Sequence, residues 1–299
     1  MFGILNCAKP SGITSRDLVN LVQRRIRPVK VGHAGTLDPL ATGVLLLPVG
    51  AAVRLTSYLH QLPKTYVATF RLGCHTPSGD LETEPVPEES PVVPSATELL
   101  RHIGRMQGLI QQVPPAYSAV RVAGQRAYRL AREGAKVALP PRTVFIHQIE
   151  VVTYDYPQLG LRIVCGSGTY IRSVGVDLAA ACGTGAVMTQ LTRTAIGPFW
   201  LEHAVDPEAL QNDPLESHLQ PAASGLPHLP RIQPSPPLLR RIMQGQVVKM
   251  TDAPAHCDQT GGPETMVLDS HGEVRAIAVP VGNGWRAKRC FPSADSEFS

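Results

Sequence analysis

Apolar positions recur along the chain with two different periods. Residues 2–8 form a short apolar run that stops at Lys9-Pro10-Ser11-Gly12, and they read as a strand closed by a turn. Ser15 stands where a cap belongs, ahead of a helix over 16–26 whose Leu18, Leu21, Val22 and Ile26 share one face. Residues 44–49 are an apolar strand, and 51–60 carry helical spacing until Pro63 breaks it. Residues 64–72, KTYVATFRL, alternate, with Tyr66, Ala68, Phe70 and Leu72 on one face, which is a strand pattern. Residues 82–95 are acidic and proline-rich, hence an exposed connection. A helix over 96–106 turns Leu99, Leu100 and Ile103 inward. Pro114-Pro115 keeps 111–119 extended.

Further on, 125–132 read as a short basic helix, and 144–152 and 161–165 as strands. The second strand feeds the glycine turn Gly166-Ser167-Gly168, which opens a helix to about residue 181, and 191–199 is a further short segment. Over 207–237 prolines accumulate and periodicity fades, which marks a linker. Beyond it a helical turn or two over 238–244 precedes short strands at 247–250, 266–268, 274–281 and 285–287, a small β unit. The division expected is 1–230, 231–292 and a frayed tail over 293–299.

Composition narrows this picture. With 299 residues and 43% hydrophobic content the chain can bury a full core. No apolar run has the length of a membrane span, and the first residues lack the charged lead of a secretory signal. Six cysteines are scattered without a CxxC pair, which speaks against a zinc site or a disulfide scaffold and for free thiols in the cytoplasm. A net charge of +4 suits a nucleic-acid partner without requiring one. Arg24, Arg25, Arg27 and Lys30 crowd the end of the first helix, either to complement its dipole or to face phosphates.

The loop GHAGTLDPLATG, residues 32–43, holds the most suggestive chemistry. Gly32, Gly35 and Gly43 permit backbone angles other residues avoid, and Pro39 biases Asp38 towards an extended conformation. Asp38 is then a carboxylate between Leu37 and Leu40, and it must find a cation or donors, or its pKa rises. An Asp-Pro dipeptide also serves as a plain turn, so the loop alone does not decide.

Taken in order, KPSGITS, GHAGTLDPLATGVL, KTYVATFRLG, QVPPAYSAVRVAGQRAYRLAREG and CGSGTYIRSVGVDLA resemble the tRNA pseudouridine-55 synthase family over residues 1–199. The C-terminal third more loosely resembles the small RNA-binding β domain of the bacterial members. The resemblance implies an α+β fold, with a mixed, mainly antiparallel central sheet flanked by helices and a small C-terminal β domain. It implies an enzyme that flips the T-loop uridine out of tRNA, breaks N1–C1′, turns the uracil and rejoins it through C5. Asp38 matches the essential aspartate, which can act as nucleophile or base without a metal or other cofactor. Tyr66 matches the tyrosine that stacks on the uracil, and His33 the histidine that fills the gap left in the RNA. Arg172 matches the partner of the aspartate and Tyr170 the tyrosine packed beneath that pair. Leu191 matches the apolar wall of the pocket, and Lys9 and Pro10 a supporting motif. The implied partner is the T-arm of tRNA, met by a monomer without guide RNA; members are also thought of as tRNA folding helpers. Three departures bear on RNA affinity: Arg121 where lysine is common, Gly166 where serine is usual, and Thr192-Arg193 where two arginines are common.

Overall fold

The computed structural model describes residues 1–118, 120–122, 124–135, 138–249 and 264–291. The expected tail, residue 250 of the strand placed at 247–250, Cys257 and the side chain of Arg121 lie outside the described residues. The main sheet is built from β1 (Gly3–Lys9), β2 (Thr42–Val49), β3 (Lys64–Leu72), β4 (Gly108–Gln112), β5 (Arg142–Asp155), β6 (Gln158–Cys165), β7 (Ala186–Ile196), β8 (Phe199–Trp200) and β9 (Leu219–Gln220). They lie in the order β9-β1-β2-β7-β3-β6-β5-β4, with β8 beside β7. The pairings are antiparallel except β2 with β7, so the mixed, mainly antiparallel sheet is as expected.

That parallel contact matters for the site. It brings Gly43 so close to β7 that a Cβ there would lie 2.2 Å from the Arg193 carbonyl oxygen, and its φ of +106° is itself one that favours glycine. The loop ahead of β2 is thereby held against β7. Helices α1 (Ser15–Arg25), α2 (Ala96–Arg105) and α3 (Ile171–Ala181) cover the sheet. Val174 and Leu178 of α3 and Leu99 and Ile103 of α2 join Phe70, Leu161 and Met188 in one apolar cluster. Gly175 lets α3 approach β3, because a Cβ there would meet the Phe70 ring at 2.0 Å. A second cluster sets Leu18, Val19 and Val22 of α1 on Leu5, Leu45 and Leu47.

A second sheet holds β10 (Arg231–Ile232), β11 (Val248–Lys249), β12 (Thr265–Leu268), β13 (Val274–Val281) and β14 (Gly284–Cys290) in the order β10-β12-β13-β14-β11, with helix α4 (Pro236–Met243) against it. Ala52, Leu55, Tyr58, Ala222 and Leu226 share a buried cluster with Met266, Ile277 and Phe291 of this unit. Among the described residues no helix is long and apolar enough to cross a membrane.

Several local expectations are corrected. Thr14, not Ser15, caps α1: its side chain accepts from the Asp17 amide at 3.1 Å, and Asp17 reaches back to the Thr14 amide at 2.8 Å. The expected helix over 51–60 is a 3-10 helix, Gly50–Leu55, followed by one α turn, Thr56–Leu59. Leu100 points outward and is 58% exposed, since 99 and 103 already define the buried stripe of α2. The basic stretch at 125 begins as a strand pair, Gln125–Arg126, before its helix, Ala127–Arg132. The segment at 191–199 is the end of an eleven-residue strand at the middle of the sheet. Residues 207–237 are no free linker, because Leu210, Leu215, Ala222 and Leu226 are buried and β9 pairs with β1. Proline there suppresses periodicity without preventing burial. Arg25 is spent on this segment, donating to the Leu210 and Asp213 carbonyls at 2.7 and 2.8 Å.

Candidate active site

The loop that carries Asp38 is fastened from three sides. Lys9, at the end of β1, donates to the carbonyls of Pro10 at 2.8 Å and Pro39 at 3.2 Å. The Gly12 amide donates to the same Pro39 oxygen at 2.9 Å, and the Ser11 hydroxyl to Leu40 O at 3.1 Å. Ser15, on the first turn of α1, accepts from the Leu37 amide at 2.9 Å and donates to the Leu37 carbonyl at 3.2 Å. Both backbone groups of the residue before Asp38 are therefore taken, and Leu37 itself is buried. The carboxylate that follows is partly open, its side chain 42% exposed, while the protein around it still takes much of its solvation.

Asp38 opens into a cavity of about 280 Å³. Tyr66 of β3, Leu191 of β7 and Tyr170 and Arg172 at the start of α3 line the same cavity, so five of the six residues singled out from the sequence meet there. His33 does not belong to that lining. It is half-buried five residues earlier on the loop, its Nδ1 is buried without a partner, and burial, with Arg16 and His60 nearby, holds its pKa below the usual histidine value.

Arg172 is the hub of one wall. Its Nη2 lies 3.2 Å from Asp38 Oδ2, and its Nη1 lies 3.1 Å from Asp80 Oδ2. It also donates to the carbonyls of Ser78 at 2.9 Å and Tyr117 at 2.7 Å. Four acceptors fix a planar fork that is itself buried. Asp80, whose side chain is 2% exposed, is one residue the sequence reading missed. Its presence changes the electrostatics. Desolvation raises the Asp38 pKa above the ordinary aspartate value; Arg172 opposes that rise, while Asp80 and Glu82 add to it. The arginine is thus shared, and Asp38 is a carboxylate kept more basic than usual.

Tyr170 precedes α3 and is clamped by Gln112, which donates to its carbonyl at 3.0 Å and accepts from its amide at 2.8 Å. The Arg142 guanidinium lies 4.3 Å from the centre of the Tyr170 ring. On the strand side, Tyr66 pairs in register with Arg193 across β3 and β7, and Leu191 pairs with Ala68. Arg193 Nη1 reaches the Tyr66 hydroxyl at 3.5 Å. Burial raises the Tyr66 pKa, with Arg193 opposing. Lys64 and Arg193 also line the cavity and were not among the predicted residues. Arg193, which entered the sequence reading only through the Thr192-Arg193 departure in RNA affinity, is 1% exposed. A signal for both was present: Lys64 shares the face of Tyr66 and Arg193 the face of Leu191, so each is a cation on an apolar stripe.

A carboxylate of raised basicity beside a fixed guanidinium, with an aromatic ring and an apolar wall around one small cavity, suits covalent or proton-transfer chemistry on a planar base. The comparisons agree. A family model described as TruB family pseudouridylate synthase (N terminal domain) matches residues 23–171. The chain is 39% identical to the tRNA pseudouridine synthase B of Rhodopirellula baltica, over 98% of this chain and 96% of that protein. It is 38% identical to that of Dehalococcoides mccartyi strain 195, over 98% and 97%. With that of Synechocystis it shares 40% identity over 85% and 88%. Among solved structures, a Cbf5-Nop10-Gar1 complex matches with a TM-score of 0.74 at 24% identity, over 97% of this chain and 85% of that one, a likeness of fold. An archaeal box H/ACA Nop10-Cbf5 complex matches with a TM-score of 0.72 at 22% identity, over 98% and 87%. The chain belongs to the TruB family of pseudouridylate synthases and is an RNA isomerase that converts uridine to pseudouridine.

Proposed function

We propose that this enzyme acts on the uridine at position 55 in the T-loop of tRNA, as a single chain in the cytoplasm and without a guide RNA, with Asp38 as its essential catalyst. The observation that carries the reading is the setting of Asp38: a half-open carboxylate, 3.2 Å from a buried arginine, on a loop whose preceding residue is locked by Ser15. The uridine enters the cavity flipped, because its reacting bond is out of reach in the folded tRNA. Tyr66 stacks on the uracil and Leu191 closes its other side; His33, outside the cavity, takes the space the base leaves in the RNA. Asp38 then attacks C1′, adds to the base or removes the 2′ proton, and its raised pKa makes it the stronger base or nucleophile for each. Tyr170 and Arg172 hold the entrance and the carboxylate in place.

The test is a T-arm stem-loop carrying tritium at C5 of the target uracil. The wild type releases tritium from the bare stem-loop, and Asp38→Ala releases none while still binding it. Silence of the wild type on the bare stem-loop would count against a stand-alone T-arm enzyme, and release by Asp38→Ala against the role of that residue.

A further inference from the structure

Arg193 is buried to 1% exposure in the middle of the main sheet, and among the described residues no carboxylate lies within ion-pair distance of it. Its Nε donates to Val44 O at 2.7 Å, its Nη2 to Gly35 O at 3.0 Å, and its Nη1 reaches Tyr66 Oη only at 3.5 Å. These contacts satisfy donors; they do not neutralise the charge. Lys64 repeats the pattern at 4% exposure, donating to the carbonyls of His60 at 2.5 Å and Leu62 at 2.7 Å. Both cations line the cavity of Asp38. Buried charge without a counter-ion is costly, and an apolar residue would serve a strand better. On the other wall Arg172 has two carboxylates. The strand wall therefore holds a positive field whose partner the protein does not supply.

The reaction supplies one, given the site reading above. When N1–C1′ breaks, its electron pair goes to N1. The ribose side is completed by a bond from C1′ to the Asp38 carboxylate, or by loss of the 2′ proton to that carboxylate. In these two routes, unlike addition of Asp38 to the base, the free base is a uracil anion, its charge spread over N1, O2 and O4. It must turn before C5 bonds to C1′, which displaces the Asp38 carboxylate from C1′ in the first route or takes the 2′ proton back from it in the second. C5 then loses its proton and N1 gains one, so that no proton is gained or lost overall. We propose that Arg193, supported by Lys64, is the electrostatic holder of this detached uracil anion. It lowers the barrier to cleavage and keeps the base in the cavity while it turns. The register pairing of Arg193 with Tyr66 places the charge beside the ring proposed to stack on the base. A backbone phosphate is the other anion RNA offers, but Arg193 borders the cavity proposed for the flipped base, beside Tyr66 and Leu191, and not the outer surface.

The experiment compares single-turnover rates of wild type, Arg193→Gln and Arg193→Lys on two stem-loops, one with uridine and one with 5-fluorouridine at the target, products being separated as nucleosides. Fluorine disperses charge on the departing base. The expected result is a rate loss of ~10²–10³-fold for Arg193→Gln on uridine, the usual effect of removing one preorganised stabiliser. The loss is clearly smaller on 5-fluorouridine, and RNA affinity is unchanged. Arg193→Lys keeps the charge and recovers most of the rate. Equal losses on both stem-loops overturn the proposal, because a packing defect does not sense the leaving group. A loss confined to affinity, with a flatter salt dependence, overturns it in favour of a phosphate contact. If Arg193→Gln does not fold, Arg193→Lys decides: a rate within about tenfold of wild type supports the charge, and collapse on both stem-loops supports a structural fork. Failure of the wild type on uridine would instead remove the underlying site reading.

Discussion

The two walls of the cavity treat charge in opposite ways. On the helix wall Arg172 is answered twice, by Asp38 and by Asp80, and its remaining donors end on carbonyls. On the strand wall Arg193 and Lys64 are as deeply buried, yet among the described residues they are answered by carbonyls and hydroxyls and by no carboxylate. A folded chain under selection for stability alone would have paired or removed the second set. The difference separates two jobs: the helix wall holds a catalytic group still, and the strand wall waits for charge that arises in the reaction.

The largest effect should come from breaking the paired wall. Arg172→Leu leaves Asp38 and Asp80 facing each other without a cation. Turnover should collapse, with RNA affinity much less affected, and stability should fall by about 3–5 kcal/mol, the usual cost of stripping one partner from a buried pair. Adding Asp80→Asn should recover stability, read as a denaturant midpoint, but not turnover. Recovery of both would mean that Arg172 serves the fold alone.

Asp80→Asn by itself is gentler. It removes the like charge that helps raise the Asp38 pKa, so the acid limb of the rate profile should move to lower pH. Because Arg172 loses one of its two anchors, turnover on the plateau should also drop, by up to ~10²-fold if Asp38 shifts by an ångström. An acid limb that stays in place would show that Asp80 does not feel Asp38.

The unpaired wall can be probed by pH alone. Burial, with Arg193 nearby, pushes Lys64 down from 10.5 to about 8. Burial, partly offset by Asp38, brings Lys9 to about 8 as well. A lysine with a lowered pKa loses its charge as pH rises, so turnover should decline above about 8, the pH at which the positive field fades. In Lys64→Arg the field no longer titrates at that residue, and the decline should shift to higher pH, Lys9 accounting for what remains. An unchanged alkaline limb would place its origin elsewhere.

How far the sequence disclosed these walls depends on what each residue displays locally. Asp38, Tyr66, Tyr170 and Arg172 sit in distinctive motifs, and the fold brings them to one cavity with Leu191. The antiparallel sheet followed from the same resemblance. Asp80 stood in a polar, turn-rich stretch where a carboxylate looks solvated; its burial depends on Arg172, ninety-two positions away in the chain. Arg193 entered only as part of a departure bearing on RNA affinity, and 191–199 as a further short segment, whereas β7 lies between β2 and β3 at the centre of the sheet. Depth in a sheet is set by strand order, and strand order is not a local property. The stretch over 207–237 failed for the complementary reason: its buried leucines are spaced by prolines, so no period announces them.

The smallest predicted effects separate two neighbouring hydroxyls, Thr14 and Ser15, the second of which the sequence offered as the cap. Thr14 caps α1, and Ser15 ties that helix to Leu37. Thr14→Ala should cost about 1 kcal/mol of stability through the lost cap and leave turnover alone. Ser15→Ala leaves the Leu37 amide and carbonyl, both in a buried setting, without their partner, at a comparable cost of about 1–3 kcal/mol. Its difference lies in where that cost falls. Leu37 is the last fixed point before Asp38, so loosening it lets the carboxylate move relative to Arg172, and turnover should drop by a few-fold more than in Thr14→Ala at equal stability. The comparison is made by tritium release at a temperature where both variants are fully folded. Equal turnover would mean that Arg172, Lys9 and the Pro39 turn already hold Asp38, and that the helix wall keeps its geometry without the tie from α1.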